Sequence, residues 1–310
     1  MITVKHLSRH YGGFKAVDDV SFHIQRGEVV GLLGHNGAGK TTIMKIMTGF
    51  LEATSGSINI DGLDIGKDTR AIQQRIGYLP ENCPVWPEMT VIDYLEYQAS
   101  LHNMPEGEVV AAVARAIRRT ALKEKATEMI QTLSRGYRQR VGVAQAILHD
   151  PDIIILDEPT NGLDPTQINQ MRGLIQELAQ SATVIISTHI LQEVQAVCER
   201  VLIMRAGKMV VDSRMDALQA GQHLRVTLDN HQASDYLQKV EGVTDVASCS
   251  TSEQLACYSL EATQEAAPLV AKAILEAGDQ LFSLQPEIRT LESIFSEVNE
   301  SNDTTQKEAA

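Results

Sequence analysis

Nine residues, Gly34-His35-Asn36-Gly37-Ala38-Gly39-Lys40-Thr41-Thr42, have the types and spacing to hold a phosphate chain. They fit the pattern G-x-x-x-x-G-K-[ST]. Glycines let successive backbone N–H groups close around phosphate oxygens with no β-carbon in the way. A helix starting near Lys40 aims the positive end of its dipole at the same anion. Lys40 is placed to reach the β- and γ-phosphates, and the Thr41 hydroxyl to ligate Mg²⁺. The expected ligand is a nucleoside triphosphate, with Gly34, Asn36, Gly37, Ala38, Gly39, Lys40, Thr41 and Thr42 as its contacts.

Two further groups carry chemistry. Asp157-Glu158-Pro159 follows the apolar run Ile153-Ile154-Ile155-Leu156. An acidic pair at the end of a buried strand sits where open α/β sheets bind ligands. Asp157 is expected to hold Mg²⁺, directly or through water, and Glu158 to orient or deprotonate an attacking water. Ser134 and Gly136, in Leu133-Ser134-Arg135-Gly136-Tyr137, open a helical run to Leu148 and make a second anion site.

These groups need a scaffold. Val29-Val30-Gly31-Leu32-Leu33 reads as the strand that feeds the phosphate loop, and Ile43-Met44-Lys45-Ile46-Met47 as helix. Strands are also expected at 2–8, 16–25, 153–156, 184–186 and 201–204, and a short strand and turn at 57–62. The later short apolar runs suit a parallel sheet buried on both faces. Residues from about 91 to 146 are nearly all helical in pattern, an insertion into that core. After about residue 215 the pattern restarts as strand 224–228, helix 232–240, strands 243–249 and 254–260, helix 266–277 and strand 280–285. That β-α-β-β-α-β order is the ferredoxin-like split motif. An amphipathic helix bearing Leu291, Ile294, Phe295 and Val298 is expected next, then a disordered polar tail at 299–310.

Charge narrows the function. The chain of 310 residues has a net charge of −13, of which 216–310 supply −11, from 5 basic and 16 acidic residues. An acidic C-terminal third is poorly suited to phosphate backbones, so no nucleic-acid partner is expected. No run of residues is apolar enough for a membrane span, and the start of the chain has no signal-peptide pattern. The four cysteines show no C-x-x-C spacing, which suits reduced thiols in a cytoplasmic chain.

Five motifs in order then reach a family: the phosphate loop, L-S-x-G-Y, I-I-I-L-D-E-P, Asn161-Gly162-Leu163-Asp164 and Ser187-Thr188-His189. Over residues 1 to about 212 the chain resembles the ATPase subunits of ABC transporters. The resemblance implies an α/β P-loop core with an antiparallel β subdomain and a helical subdomain at about 88–148. It implies an ATP-binding domain at 1–215; the pattern that restarts after it is expected to form a small α+β domain at 216–298. Tyr11 would stack on adenine, His189 would contact the γ-phosphate and position the water, and Asp164 would couple two sites. Ser134 and Gly136 would meet the γ-phosphate held by a second copy, in a head-to-tail dimer. Permease subunits in the membrane would be driven by that dimer, which they would hold at the inner face of the cell membrane.

The chain departs from the family at two places. Glu81 stands where Gln is usual; a carboxylate can ligate Mg²⁺ but cannot donate as an amide does. Arg135 and Tyr137 replace Gly and Gln in the signature; Arg135 is either a charge near the partner's γ-phosphate or a solvated surface residue. Gly77–Asn82, Leu133–Arg140 and the C-terminal domain look most like ABC-2-type exporters of the gliding-motility-associated subgroup. Similar phrases occur in the ATPase for copper-site maturation of nitrous oxide reductase. Trp86, between Pro84 and Pro87, is either an exposed anchor for the permease or part of the helical core. A soluble ABC-type ATPase acting on a non-transport partner is the alternative, though no tandem cassette or long coiled coil supports it. A P-loop GTPase would need N-K-x-D, which is absent.

Overall fold

The computed structural model describes residues 1–219, 222–249, 255–262, 264–288 and 291. Contacts divide the chain into two units, Met1–Ser213 and Arg214–Ala310.

The first unit opens with β1 (Ile2–Tyr11) and β2 (Phe14–Ile24), joined by the turn Gly12-Gly13. Next come β3 (Val29–Leu33), α1 (Lys40–Met47), β4 (Ser55–Ile60), β5 (Leu63–Asp64), α2 (Thr69–Gln73) and β6 (Ile76–Leu79). The helical segment is α3 (Val91–Leu101), α4 (Glu106–Arg119) and α5 (Arg135–Ile147), with short 3-10 turns between the last two. The chain returns through β7 (Ile153–Asp157), α6 (Pro165–Ala179), β8 (Thr183–Thr188), α7 (Leu191–Val197), β9 (Arg200–Arg205) and β10 (Lys208–Arg214).

Two sheets result, ordered β2-β1-β4-β5 and β10-β9-β3-β8-β7-β6. β1 pairs antiparallel with β2 and β4, whereas β3, β6, β7, β8 and β9 pair in parallel. Every residue of β3, β7 and β8 is buried, as parallel strands covered on both faces require. Helix α1 lies in the core between the sheets: Ile43, Met44, Ile46 and Met47 pack with Ile2 and Val4 of one and with Ile155 and Leu202 of the other. Burial of four such side chains contributes roughly 1.5–3 kcal/mol each, which anchors the phosphate loop to the core.

The long helical pattern from 91 to 146 is divided by its backbone. Asn103 and Ala121 take φ of 54° and 55°, conformations that end a helix, and the chain runs extended at Leu133 and Ser134. Thr90 caps α3 by accepting from the Asp93 amide, and Ser134 caps α5 by accepting from the Tyr137 amide. The Tyr94 hydroxyl, donating to Gln145 Oε1 at 2.5 Å, ties α3 to α5. Strand β6, outside the sequence expectation, pairs with β7. Gly77 makes this possible, because a β-carbon there would lie 1.9 Å from the Ala146 carbonyl oxygen of α5.

The second unit comprises α8 (Met215–Gln219), β11 (Gln222–Leu228), α9 (Ser234–Leu237), β12 (Val243–Ser248), β13 (Ala256–Ala262), α10 (Ala267–Glu276) and β14 (Leu281–Ile288). Its sheet is ordered β12-β13-β11-β14, the split β-α-β arrangement. Leu224, Val226 and Leu228 of β11 and Tyr258 and Leu260 of β13 pack on Val270 and Ile274 of α10. β13 lies two residues later than the strand expected at 254–260, since Ala256, Tyr258, Leu260 and Ala262 share the buried face. Apart from Leu291, the expected last helix lies outside the described residues, as does the whole expected tail.

Candidate active site

The phosphate loop follows β3 and ends at Gly39, which precedes α1 with φ of 106°. No L side chain adopts that angle easily, and a β-carbon there would lie 2.5 Å from the Ala16 carbonyl oxygen. Lys40 is 6 % exposed and donates from Nζ to the carbonyl oxygens of Gly34 at 2.6 Å and His35 at 3.3 Å. Its ammonium lies 3.8 Å from Glu158 Oε1. Burial lowers the Lys40 pKa, and the nearby Glu158, Asp157 and Glu81 carboxylates partly restore it.

Strands β7 and β8 deliver the acidic pair and the histidine side by side, because Asp157 is in parallel register with Ser187. Asp157 is fully buried; its Oδ1 accepts from the Ser187 hydroxyl, and its Oδ2 has no partner. Glu158 turns out of the strand with φ of 52°, an uncommon angle for a residue with a β-carbon, fixed by its amide donating to Ser187 O at 3.0 Å. Its Oε2 and His189 Nδ1 form a hydrogen bond of 2.9 Å. Burial raises the Glu158 pKa; the bond and charge of His189 and the charge of Lys40 oppose it. The turn displaying His189 is held by Thr188, whose hydroxyl donates to buried Glu193 at 2.9 Å and accepts from the Ile190 amide at 3.1 Å.

A cleft of about 360 Å³ is lined by Tyr11, Asn36, Gly37, Ala38, Gly39, Lys40, Thr41, Thr42, Glu81 and Glu158. The structure thus brings these predicted residues together, with Gly34, Asp157 and His189 bonded to or charged against them. Ser134, Gly136 and Asp164 do not line it. They form a second cluster, in which Asp164 caps α6 by accepting from the Gln167 amide at 2.9 Å. The Gln167 amide group in turn lies where a β-carbon of Gly136 would stand.

Three neighbours escape the sequence reading. Phe14, 62 % exposed, lines the cleft opposite Tyr11 across the β1–β2 hairpin; the Tyr-Gly-Gly-Phe spacing of a tight hairpin is its sequence signal. Ser187 bonds Asp157, and only the parallel register reveals it. Tyr78 has a buried hydroxyl with no partner, and its pKa is pushed up by burial and by the charges of Asp157 and Glu81.

The orphaned Asp157 Oδ2, the Thr41 hydroxyl and the Glu81 carboxylate are hard oxygen donors, the set a small divalent cation takes. The residues therefore fit Mg²⁺.

A phosphate loop before α1, a buried acidic strand end and a histidine from the next parallel strand define a P-loop nucleotide hydrolase with a helical insertion. The ABC transporter family profile matches residues 17–161. The ABC transporter ATP-binding protein NatA of Bacillus subtilis is 38 % identical over 224 residues, 70 % of this chain and 91 % of that protein. The bacitracin transport ATP-binding protein BcrA of Bacillus licheniformis is 35 % identical over 220 residues, 70 % and 71 % of the two chains. A solved ATP-binding subunit of an ABC transporter superposes with a TM-score of 0.65 at 30 % identity, covering 71 % of this chain and 92 % of its own. The chain belongs to the ATP-binding subunits of ABC transporters. It is an ATPase whose hydrolysis is coupled to transport.

Proposed function

We propose that two copies of this chain close head to tail on ATP and Mg²⁺, and that closure and reopening drive separate permease subunits of an ABC-2-type exporter. The observation that carries this reading is the division of the site residues. Tyr11, the 36–42 loop, Glu81 and Glu158 share one cleft, while Ser134, Gly136 and Asp164 stand outside it. A second copy supplies the missing half when Ser134 and Gly136 face its γ-phosphate and Asp164 meets its loop.

Within each half, Lys40 and the loop amides bind the β- and γ-phosphates. Thr41, Asp157 and Glu81 hold Mg²⁺, which when bound neutralises charge on the phosphate oxygens. Glu158 accepts the proton of the attacking water. His189, hydrogen-bonded to Glu158, holds that carboxylate in place and contacts the γ-phosphate. Tyr11 stacks on adenine; its ring already carries the Arg9 guanidinium, 4.6 Å from its centroid.

For the permease, the structure offers an apolar groove of about 480 Å³ whose lining includes Phe50, Tyr78, Pro80, Pro84, Gln145 and His149. Phe50 is 73 % exposed, and Trp86, 53 % exposed, packs edge-on against Tyr97 of α3 at 5.7 Å. Exposed aromatics beside prolines support the anchor reading of Trp86. No described helix is long and apolar enough to cross a membrane. Family membership supports placing the chain in the cytoplasm, held at the inner face of the cell membrane by its permease; the acidic C-terminal third argues against a nucleic-acid partner. Relatives named for bacitracin transport and linearmycin resistance support export. We place the chain nearest the gliding-motility-associated subgroup, on the phrases at Gly77–Asn82 and Leu133–Arg140.

Glu158→Gln tests the reading. The variant is expected to bind ATP, to lose hydrolysis and to accumulate as an ATP-dependent dimer on size-exclusion chromatography. A variant that turns over at the wild-type rate, or stays monomeric with ATP bound, overturns it.

A further inference from the structure

We propose that Arg135, packed on Gly162, acts across the dimer interface as a cation for the γ-phosphate in the partner's site. The inference rests on the head-to-tail reading and adds a residue to it. Arg135 is the first residue of α5, between Ser134 and Gly136. Its exposed side chain turns toward Gly162. A β-carbon on Gly162 would lie 2.4 Å from Arg135 Cζ, 2.5 Å from Nη1 and 2.7 Å from Nε. The guanidinium therefore lies directly against the Gly162 backbone, in space that a β-carbon would share. Gly162 also has φ of 73°, so this position favours glycine on conformational grounds as well.

A guanidinium carries five donors in a planar fork matched to phosphate oxygens. Arg135 is exposed, and among the described residues nothing accepts from it. Arg140 donates to Gln170 and to Thr120 O, and Arg119 to Glu177; Arg138, the other exposed arginine of α5, has no acceptor among the described residues but lies one turn further from the helix start. Arg135 thus combines packing on Gly162 with unused donors, next to the two residues proposed to meet the partner's nucleotide. The contact with Gly162 reduces the side-chain freedom that binding would otherwise have to remove. A charge-assisted hydrogen bond gained on closure, stronger as phosphate charge develops, is of the kind that raises turnover more than it tightens substrate binding.

Arg135→Ala is expected to lower kcat roughly 10- to 100-fold with little change in KM. Arg135→Lys should recover part of the loss, because it restores the charge without the fork. The decisive measurement mixes Arg135→Ala with Glu158→Gln. Neither homodimer has an intact site. A mixed dimer has one if Arg135 acts in trans: the Glu158 of one copy faces the Arg135 of the other. Mixing should therefore raise ATPase activity above both parents, as should mixing Ser134→Ala with Glu158→Gln. Complementation by Ser134→Ala but not by Arg135→Ala overturns the role of Arg135. Failure of both mixtures overturns the head-to-tail reading itself. A second readout needs no turnover: in the Glu158→Gln background, Arg135→Ala should weaken the ATP-dependent dimer measured by light scattering, and an unchanged dimer counts against the proposal. Gly162→Ala, which displaces the guanidinium, should mimic part of the Arg135→Ala defect and add less to it than the single effects predict.

Discussion

The two units of the chain bury polar groups in opposite ways. In the first unit, Lys40, Asp157, Glu158, Thr160, Ser187, Thr188 and Glu193 are all buried, and Asp157 Oδ2, Thr160 Oγ1 and Glu193 Oε1 lack partners. In the second unit no described Asp, Glu, Lys, Arg, Ser, Thr or Gln is buried; the core is Leu224, Val226, Leu260, Val270, Ile274 and their neighbours. Among its described residues the one buried hydroxyl, on Tyr258, is satisfied twice, donating to Asn230 O at 3.1 Å and accepting from the Ala233 amide at 3.2 Å. Burying an unpartnered polar group or a charge is unfavourable. A fold keeps that cost where chemistry needs it and omits it where stability is the only demand.

The comparison can be broken at its strongest point first. Glu158→Gln should lower hydrolysis by about 10²–10⁴ while raising the thermal midpoint of the first unit at pH 7. Burial raises this carboxyl's pKa above its unfolded value, so the ionised form destabilises the fold above the unfolded pKa, and that penalty vanishes as pH falls through it. The gain should therefore shrink toward pH 4 in differential scanning calorimetry. A variant less stable than wild type at pH 7 would mean that Glu158 is a structural ion-pair partner first.

Leu224→Ala, at a fully buried position of β11, should cost the second unit about 2–5 kcal/mol and leave ATP binding by the first intact. Lost nucleotide binding would show that the two units do not divide the work as their cores suggest.

A smaller effect is expected where His149 stacks on His102, with ring centroids 4.0 Å apart and planes 16° from parallel. Burial, with the charge of His102, lowers the His149 pKa to about 4. A histidine depressed in the fold loses stability as pH falls from its unfolded value to the folded one, here from about 6.5 to about 4. His149→Phe should flatten urea-derived stability over that window, by up to about 3 kcal/mol at its acid end; an unchanged pH profile would remove His149 from the account. The smallest change belongs to the second unit. Tyr258→Phe should cost it about 1–2 kcal/mol and leave ATPase activity at the wild-type level.

Legibility from the sequence followed locality. The phosphate loop, the acidic strand end and the capped starts of α5 and α6 are runs of adjacent residues whose types state their purpose. The strand of Ile76–Leu79 was hidden, because four residues with an internal glycine carry no alternation; its pairing with β7 and the closeness of α5 make it a strand. Breaks inside 91–146 were hidden too, since Asn103 and Ala121 end helices through backbone angles that their residue types do not advertise. Ser187 and Tyr78 reach Asp157 only through strand register. The β-α-β-β-α-β order of the second unit was readable from alternation alone, because one face of its sheet is apolar.

Helix α5 is worth considering as a mechanical part. At 13 residues it spans roughly 20 Å. Ser134, Arg135 and Gly136 stand at one end, and at the other Gln145 and Ala146 wall the groove of Phe50 and His149. Near that second end the bare Cα of Gly77 leaves no clearance between rod and strand. A body seated in the groove would therefore grip the same rod whose far tip presents the signature residues, so that force applied at one tip arrives at the other without an intervening hinge.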